Sequence, residues 1–262
     1  VDGLIFSVCA LFTAVAAAVY FRHLYTHRHV RRYRIARWAR ISACLACCFG
    51  SALAVPTIAQ FAASATGIDH VAKLGAHLAA ITFCASLQIM IVDWTHLSPH
   101  VPPGITLRLA LLLSFAVALS WQFSGIDTNR LTLTTDFADD SRVSSYLLTY
   151  LAFAAASGLE IAILSTGLAL AAHKQRRASA AGLALSAVGG GACVAYAISK
   201  GGYLIAYRLG HPWPLGVEKA ISSPLAGVYI LCVTVGLCLA IYARRAEPAA
   251  PCPPPCEPVS GG

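Results

Sequence analysis

Charge is what this sequence has least of. Only 11% of its residues are charged, whereas a soluble domain carries about 25%. By contrast, 58% are hydrophobic, with a mean hydropathy of +0.69. Apolar runs long enough to cross a bilayer, roughly 20 residues each, take up most of the length, so no separate soluble catalytic domain fits. Lysine is scarce too, at positions 73, 174, 200 and 219 only. Arg supplies most of the +8 formal charge. In a chain this apolar that charge reads as the inside bias of a polytopic membrane protein and not as a nucleic-acid footprint. The lipid bilayer and its anionic headgroups are then the expected partners.

The motifs of several enzyme classes are missing as well. There is no H-E-x-x-H, no G-x-S-x-G elbow and no Gly-rich phosphate loop ending in Lys-Ser or Lys-Thr. The last apolar run holds no Lys for a retinal Schiff base. No catalytic residue, cofactor or metal is expected, and the chain does not read as an enzyme. A secreted disulfide framework is excluded by placement: Cys9, Cys44, Cys47, Cys48, Cys84, Cys193, Cys232 and Cys238 all fall inside apolar runs, where a free thiol behaves as a small hydrophobe. The first run has no basic segment before it, so a signal peptide is not expected. The preference for Arg over Lys, with heavy use of Ala, suggests a GC-rich bacterial genome and therefore a bacterial plasma membrane.

What is present is organised around one stretch. Arg22 to Arg40 packs Arg22, Arg28, Arg31, Arg32, Arg34, Arg37 and Arg40 between two apolar runs, and short Arg-rich loops beside spans stay in the cytoplasm. Apolar runs cover residues 4–21, 41–64, 72–93, 105–121, 144–172, 180–209 and 221–242. The expectation is an all-α bundle of seven transmembrane helices over residues 1–245, N-terminus outside and C-terminus inside. Residues 246–262 form a Pro/Cys-rich cytoplasmic tail, flexible by composition. Palmitoylation of Cys252 and Cys256 and a weak metal site both stay open for that tail.

Four ionisable groups within the spans are singled out as candidates: Lys73, His77, Glu160 and Lys200. Each costs about 2.5–3.5 kcal/mol near the bilayer centre on insertion scales, so each is a functional candidate by default. Lys73 and His77 share a helix face through their four-residue spacing. An economical arrangement points all four into the bundle, with Glu160 bonded to His77 or a Lys, as a substrate or proton site. The plain alternative lets both Lys snorkel to the interface and His77 donate to a backbone carbonyl. Gly182, Ser186 and Gly190 make a small-residue seam suited to close helix packing, and the adjacent glycines also suit a kink. Arg28, Arg31, Arg32, Arg34 and Arg37 offer a surface to anionic lipid or a cytoplasmic regulatory protein, or are a solvated loop that only sets topology.

Three segments carry a likeness: Lys200 to Tyr242, Arg37-Trp38-Ala39-Arg40, and Leu74-Gly75-Ala76-His77. They resemble an actinobacterial family of multi-helix integral membrane proteins that bears a transporter label. The resemblance implies a polytopic bundle in which His77 and Lys200 are the matching polar positions. It also implies a cytosolic domain after the last helix, for which the residues following Arg245 leave no room. Two functions follow as expectations. One is a transporter with a polar intramembrane site, in which Glu160 and His77 exchange a proton or hold a charged group. The other is a non-transporting sensor or anchor that docks a cytoplasmic regulator through the basic loop.

Overall fold

The structure is a computed structural model and describes residues 2–26, 34–95, 98–127, 133–174 and 177–246. The described residues form eight α-helices: α1 (Asp2–Thr26), α2 (Arg34–Leu53), α3 (Pro56–Thr66), α4 (Val71–Thr95), α5 (Val101–Ser124), α6 (Ser141–Ala172), α7 (Arg177–Arg208) and α8 (Leu215–Ala246). Six are long and apolar enough to cross a membrane, or seven if the bent pair α2 and α3 counts as one span. The chain is a multi-pass membrane protein by helix length and hydropathy.

The second apolar run is where expectation and structure part. Residues 41–64 were expected to be one helix, but the run breaks, and α3 leaves α2 at 87°. The cause is local. Pro56 suits the first turn of a helix and removes a backbone donor from a helix interior, and here Val55 before it is extended (φ −76°, ψ 125°), as the residue before a proline prefers. At 11 residues and about 1.5 Å per residue, α3 reaches only roughly 16 Å. None of its residues is buried, and Phe61 is 72% exposed. Gly67, in the left-handed region at φ 67°, closes α3 by donating its N–H to the Ala63 carbonyl at 2.9 Å.

α2 runs antiparallel to α4 along nearly its whole length. The Ala36 amide donates to Asp93 Oδ2 at one end (3.4 Å), and Ser86 Oγ donates to Ser42 Oγ (3.2 Å) further along. Gly50 faces Ala79, and Leu53 packs over Gly75 at the other end. α2 also starts earlier than its apolar run. Part of the basic stretch is therefore helix: Ala36, Ala39 and Arg40 are buried, and the Arg40 guanidinium lies 5.0 Å from the centre of the Tyr20 ring. Arg22 belongs to α1. Arg28, Arg31, Arg32 and the tail from 247 onward lie outside the described residues, and of Arg34 only the backbone, opening α2, is described.

The helices form two groups. α1, α2, α3 and α4 pack together, α6, α7 and α8 pack together, and the groups meet through α4 on α6, α5 against both, and α1 on α8. α4 is the most enclosed span and α5 the least, with Leu119 its one fully buried residue. The seam on α7 is internal packing. A Cβ on Gly190 would stand 2.7 Å from the Gly158 carbonyl of α6, and one on Gly189 would stand 2.7 Å from Val233 Cγ2 of α8. Gly182 and Gly236 meet backbone to backbone across α7 and α8. Close backbone approach of this kind takes the place of hydrophobic driving force within a bilayer.

Gly191, one residue along, has nothing within 4 Å of an added Cβ. Gly190→Leu is therefore expected to lower the melting temperature by roughly 5–10 °C or to abolish folding. Gly191→Ala should leave it unchanged or raise it slightly. Fluorescence-detected thermal unfolding in nanodiscs compares the two.

Candidate functional site: a cation-lined cavity between the helix groups

Where α2 and α4 face α7 and α8 without close packing, a cavity of about 470 Å³ remains. Three helices each bring a polar pair to it at four-residue spacing, which places both members on one face. These are Lys73 and His77 on α4, Tyr146 and Tyr150 on α6, and Tyr196 and Lys200 on α7. All but Tyr146 line the cavity directly. Tyr146 stands behind, with its hydroxyl 2.9 Å from His77 Nδ1. Tyr150 stacks on the His77 ring, with centroids 4.3 Å apart at 22°. His77 is deep in the protein, and its accessible surface is cavity wall. The imidazole is therefore fixed by two tyrosines of α6, and among the described residues neither a carboxylate nor a backbone carbonyl holds it.

Lys73 and Lys200 stand near the end where α4 begins and α7 finishes, and Leu133 and Thr134 line the cavity at that same end. The two ammonium groups repel one another, and both act on His77. Lys200 Nζ lies 5.7 Å from the centre of the Tyr196 ring. Among the described residues neither Lys has an ion pair. Asp136 is a carboxylate that acts on Lys73, but Lys219 Nζ donates to its Oδ1 at 2.7 Å. That ammonium holds the Asp136 carboxyl below the usual carboxylate range. Glu218 is wholly buried in the first turn of α8 and accepts from Thr135 Oγ1 at 3.0 Å. Both contacts fasten the segment that follows Leu133 and Thr134 to α8.

Toward the other end the cavity becomes apolar and sulfur-rich. Cys84 Sγ lies 3.2 Å from the Tyr229 hydroxyl, and Cys193 Sγ donates to the Ala154 carbonyl at 3.4 Å. Ile81, Phe83 and Ile230 complete much of the wall there, while Leu53, packed over Gly75, lines the Lys73 end.

Glu160 is elsewhere. It was expected to bond His77 or a Lys, but it pairs with Arg108 of α5 and accepts from Gln88 of α4. Arg108 also donates to the Gly104 carbonyl at 2.9 Å. The structure thus brings Lys73, His77 and Lys200 to one cavity and sets Glu160 in a separate clamp joining α4, α5 and α6. Arg108 is in the sequence four residues into the fourth apolar run, and its charge there was the signal that Glu160 had an ionic partner. Glu218 precedes the last apolar run in sequence, and nothing in its local pattern signals burial.

The clamp side chains keep only 14% and 26% of their surface, so removing either partner strands a charge in the bundle. Arg108→Gln and Glu160→Gln are each expected to destabilise, and the double variant by less than the sum, with a coupling of about 1–3 kcal/mol in a thermal-unfolding cycle. At the mouth, the half-exposed Lys219–Asp136 pair makes a small contribution. Because the Asp136 pKa is lowered on folding, that contribution is present above the unfolded value of about 3.9. It is lost as pH falls through the folded pKa. The difference in melting temperature between wild type and Lys219→Met should therefore vanish in acid, which a pH series of unfolding curves measures.

No family model, no curated protein and no solved structure matches the chain.

Proposed function

We propose that the protein is a membrane transport protein that takes a negatively charged solute into the cavity between its two helix groups. The observation that carries this reading is the pair of unpaired ammonium groups, Lys73 and Lys200, facing an intramembrane cavity beside a positioned His77. Isolated cations inside a bundle are costly, and a bound anion would repay that cost through charge-assisted hydrogen bonds. In this reading α2 completes a crossing beside α4 and α3 lies along the interface, which makes seven crossings. The N-terminus is outside and the C-terminus inside, because the Arg-rich segment between α1 and α2 stays in the cytoplasm. The cavity mouth then faces outward. The bacterial plasma membrane is its place, and the likeness to the transporter-labelled actinobacterial family points the same way. Glu160 has a structural part in this scheme, and no enzymatic step or cofactor enters it.

The second reading is a non-transporting sensor or anchor, with Arg28, Arg31, Arg32, Arg34 and Arg37 meeting anionic lipid and a cytoplasmic regulator. Its support is Trp38 and Ile35, exposed beside Arg37 at the start of α2, where an aromatic–basic edge suits the headgroup layer.

Proteoliposomes separate the two. The transport reading expects uptake of at least one member of a panel of carboxylate and phosphate anions, reduced about tenfold or more by Lys73→Gln with Lys200→Gln. It expects Arg31→Gln with Arg32→Gln to leave that flux intact. No flux for any member, together with a cytoplasmic partner lost on neutralising the Arg residues, would establish the anchor instead.

A further inference from the structure

The composition of the cavity says more than the sign of the charge it accepts. Its Lys and His side chains are gathered at one end: Lys73, Lys200 and His77. The remaining wall is mostly apolar and aromatic, and a water-soluble anion would leave that wall facing trapped water. Among the described residues no carboxylate pairs with either Lys: Asp136 is held by Lys219, and buried Glu218 accepts from Thr135 on Oε2 with no partner on Oε1. The cation end therefore has a deficit of negative charge, and the rest of the cavity has a deficit of hydrocarbon.

The second observation is where the wall is thinnest. Pro56 and Ala59 of α3 and Phe6 of α1 line the cavity, yet α3 has no buried residue. α1 and α3 barely touch among the described residues, through Gly3 and Pro56. The outer surfaces of both helices carry large exposed apolar side chains, such as Leu4, Leu11 and Phe61. In a bilayer those surfaces meet acyl chains. The 87° break at Pro56 thus makes the short helix α3, next to Phe6 of α1, part of the cavity wall close to the Lys73 end.

We propose that the cavity binds a single-chain amphiphile with an anionic headgroup, carboxylate or phosphate, whose head sits between Lys73 and Lys200 and whose chain lies along Tyr150, Cys84 and Tyr229. The inference deepens the transport reading and rests on the same cavity. A volume of about 470 Å³ falls in the range that encloses ligands of drug size and is too small to take in a two-chain lipid whole. Lys suits this head better than the Arg that predominates elsewhere in the chain. Its compact ammonium on a flexible stem follows either headgroup, whereas the planar fork of Arg demands one geometry.

The test uses the full chain in nanodiscs of zwitterionic phosphatidylcholine and four photoreactive probes with the same sixteen-carbon chain: hexadecanoate, hexadecyl phosphate, hexadecanol and hexadecyltrimethylammonium. Crosslinks are mapped by mass spectrometry. The two anions are expected to label cavity residues on α4, α6 and α7, at least about tenfold more strongly than the alcohol or the cation. Which anion labels more strongly identifies the headgroup. Lys73→Gln with Lys200→Gln should remove that preference, and Lys73→Arg with Lys200→Arg, which keeps the charge, reports whether the variants fold. Equal labelling by all four probes, or labelling confined to lipid-facing residues such as Leu159 and Ile163, overturns the proposal. Anion labelling of the cavity without flux in proteoliposomes would sustain the ligand class and end the transport reading. Flux of short, water-soluble anions that the sixteen-carbon anions do not inhibit would do the opposite.

Discussion

The ion pair between Arg108 and Glu160, with Gln88 on the same carboxylate, decides how this bundle closes. It joins α4, α5 and α6 toward the C-terminal end of α4 and the N-terminal end of α5, and α4 on α6 is a principal bridge between the two helix groups. Nothing equivalent draws α4 toward α7 at the opposite end, where Lys73 and Lys200 repel each other. The bundle is thus cinched at one end and held apart at the other. The cavity is what that asymmetry leaves.

Burial of charge in a membrane protein has two stable solutions, neutralisation by a partner or access to water and ligand. Both are used here, on different residues. Glu160 is compensated, which removes it from chemistry at the cavity and makes it a strut. Lys73 and Lys200 have no ion pair with any described residue, which makes them the groups with something left to bind. Close backbone seams join α7 to α6 and α8, and α7 runs unbroken through its adjacent glycines from Arg177 to Arg208.

Much of this is written in the sequence, and the misses share a cause. Hydropathy marks the spans because a bilayer demands about 20 apolar residues whatever their neighbours. Six of the seven expected runs correspond to single helices on that ground. The four-residue spacing of Lys73 and His77 puts them on one face, and the cavity is there. Spacing along one helix does not say which helix lies opposite, and so Glu160 was given to His77 when its partner was Arg108. The break at Pro56 was visible as a residue, but composition cannot distinguish a proline tolerated within a span from one that ends it. The basic stretch misleads in another way. Counting charge treats Arg22 to Arg40 as one loop, while Tyr20 and Asp93 give Arg40 and the start of α2 partners that let helix begin inside it.

On the transport reading, Lys73 and Lys200 face a cavity open at the end of the bundle that also carries Lys219. Only one other lysine, Lys174, is present in the chain, and it follows α6 at the opposite end. Labelling intact cells with a membrane-impermeant amine reagent, read by mass spectrometry, therefore reports the opening directly. The account predicts modification of Lys73, Lys200 and Lys219 together, with Lys174 untouched. Reaction at Lys219 with Lys73 and Lys200 protected would mean that the cavity is sealed from that face, and the cation-lined site would have to be abandoned.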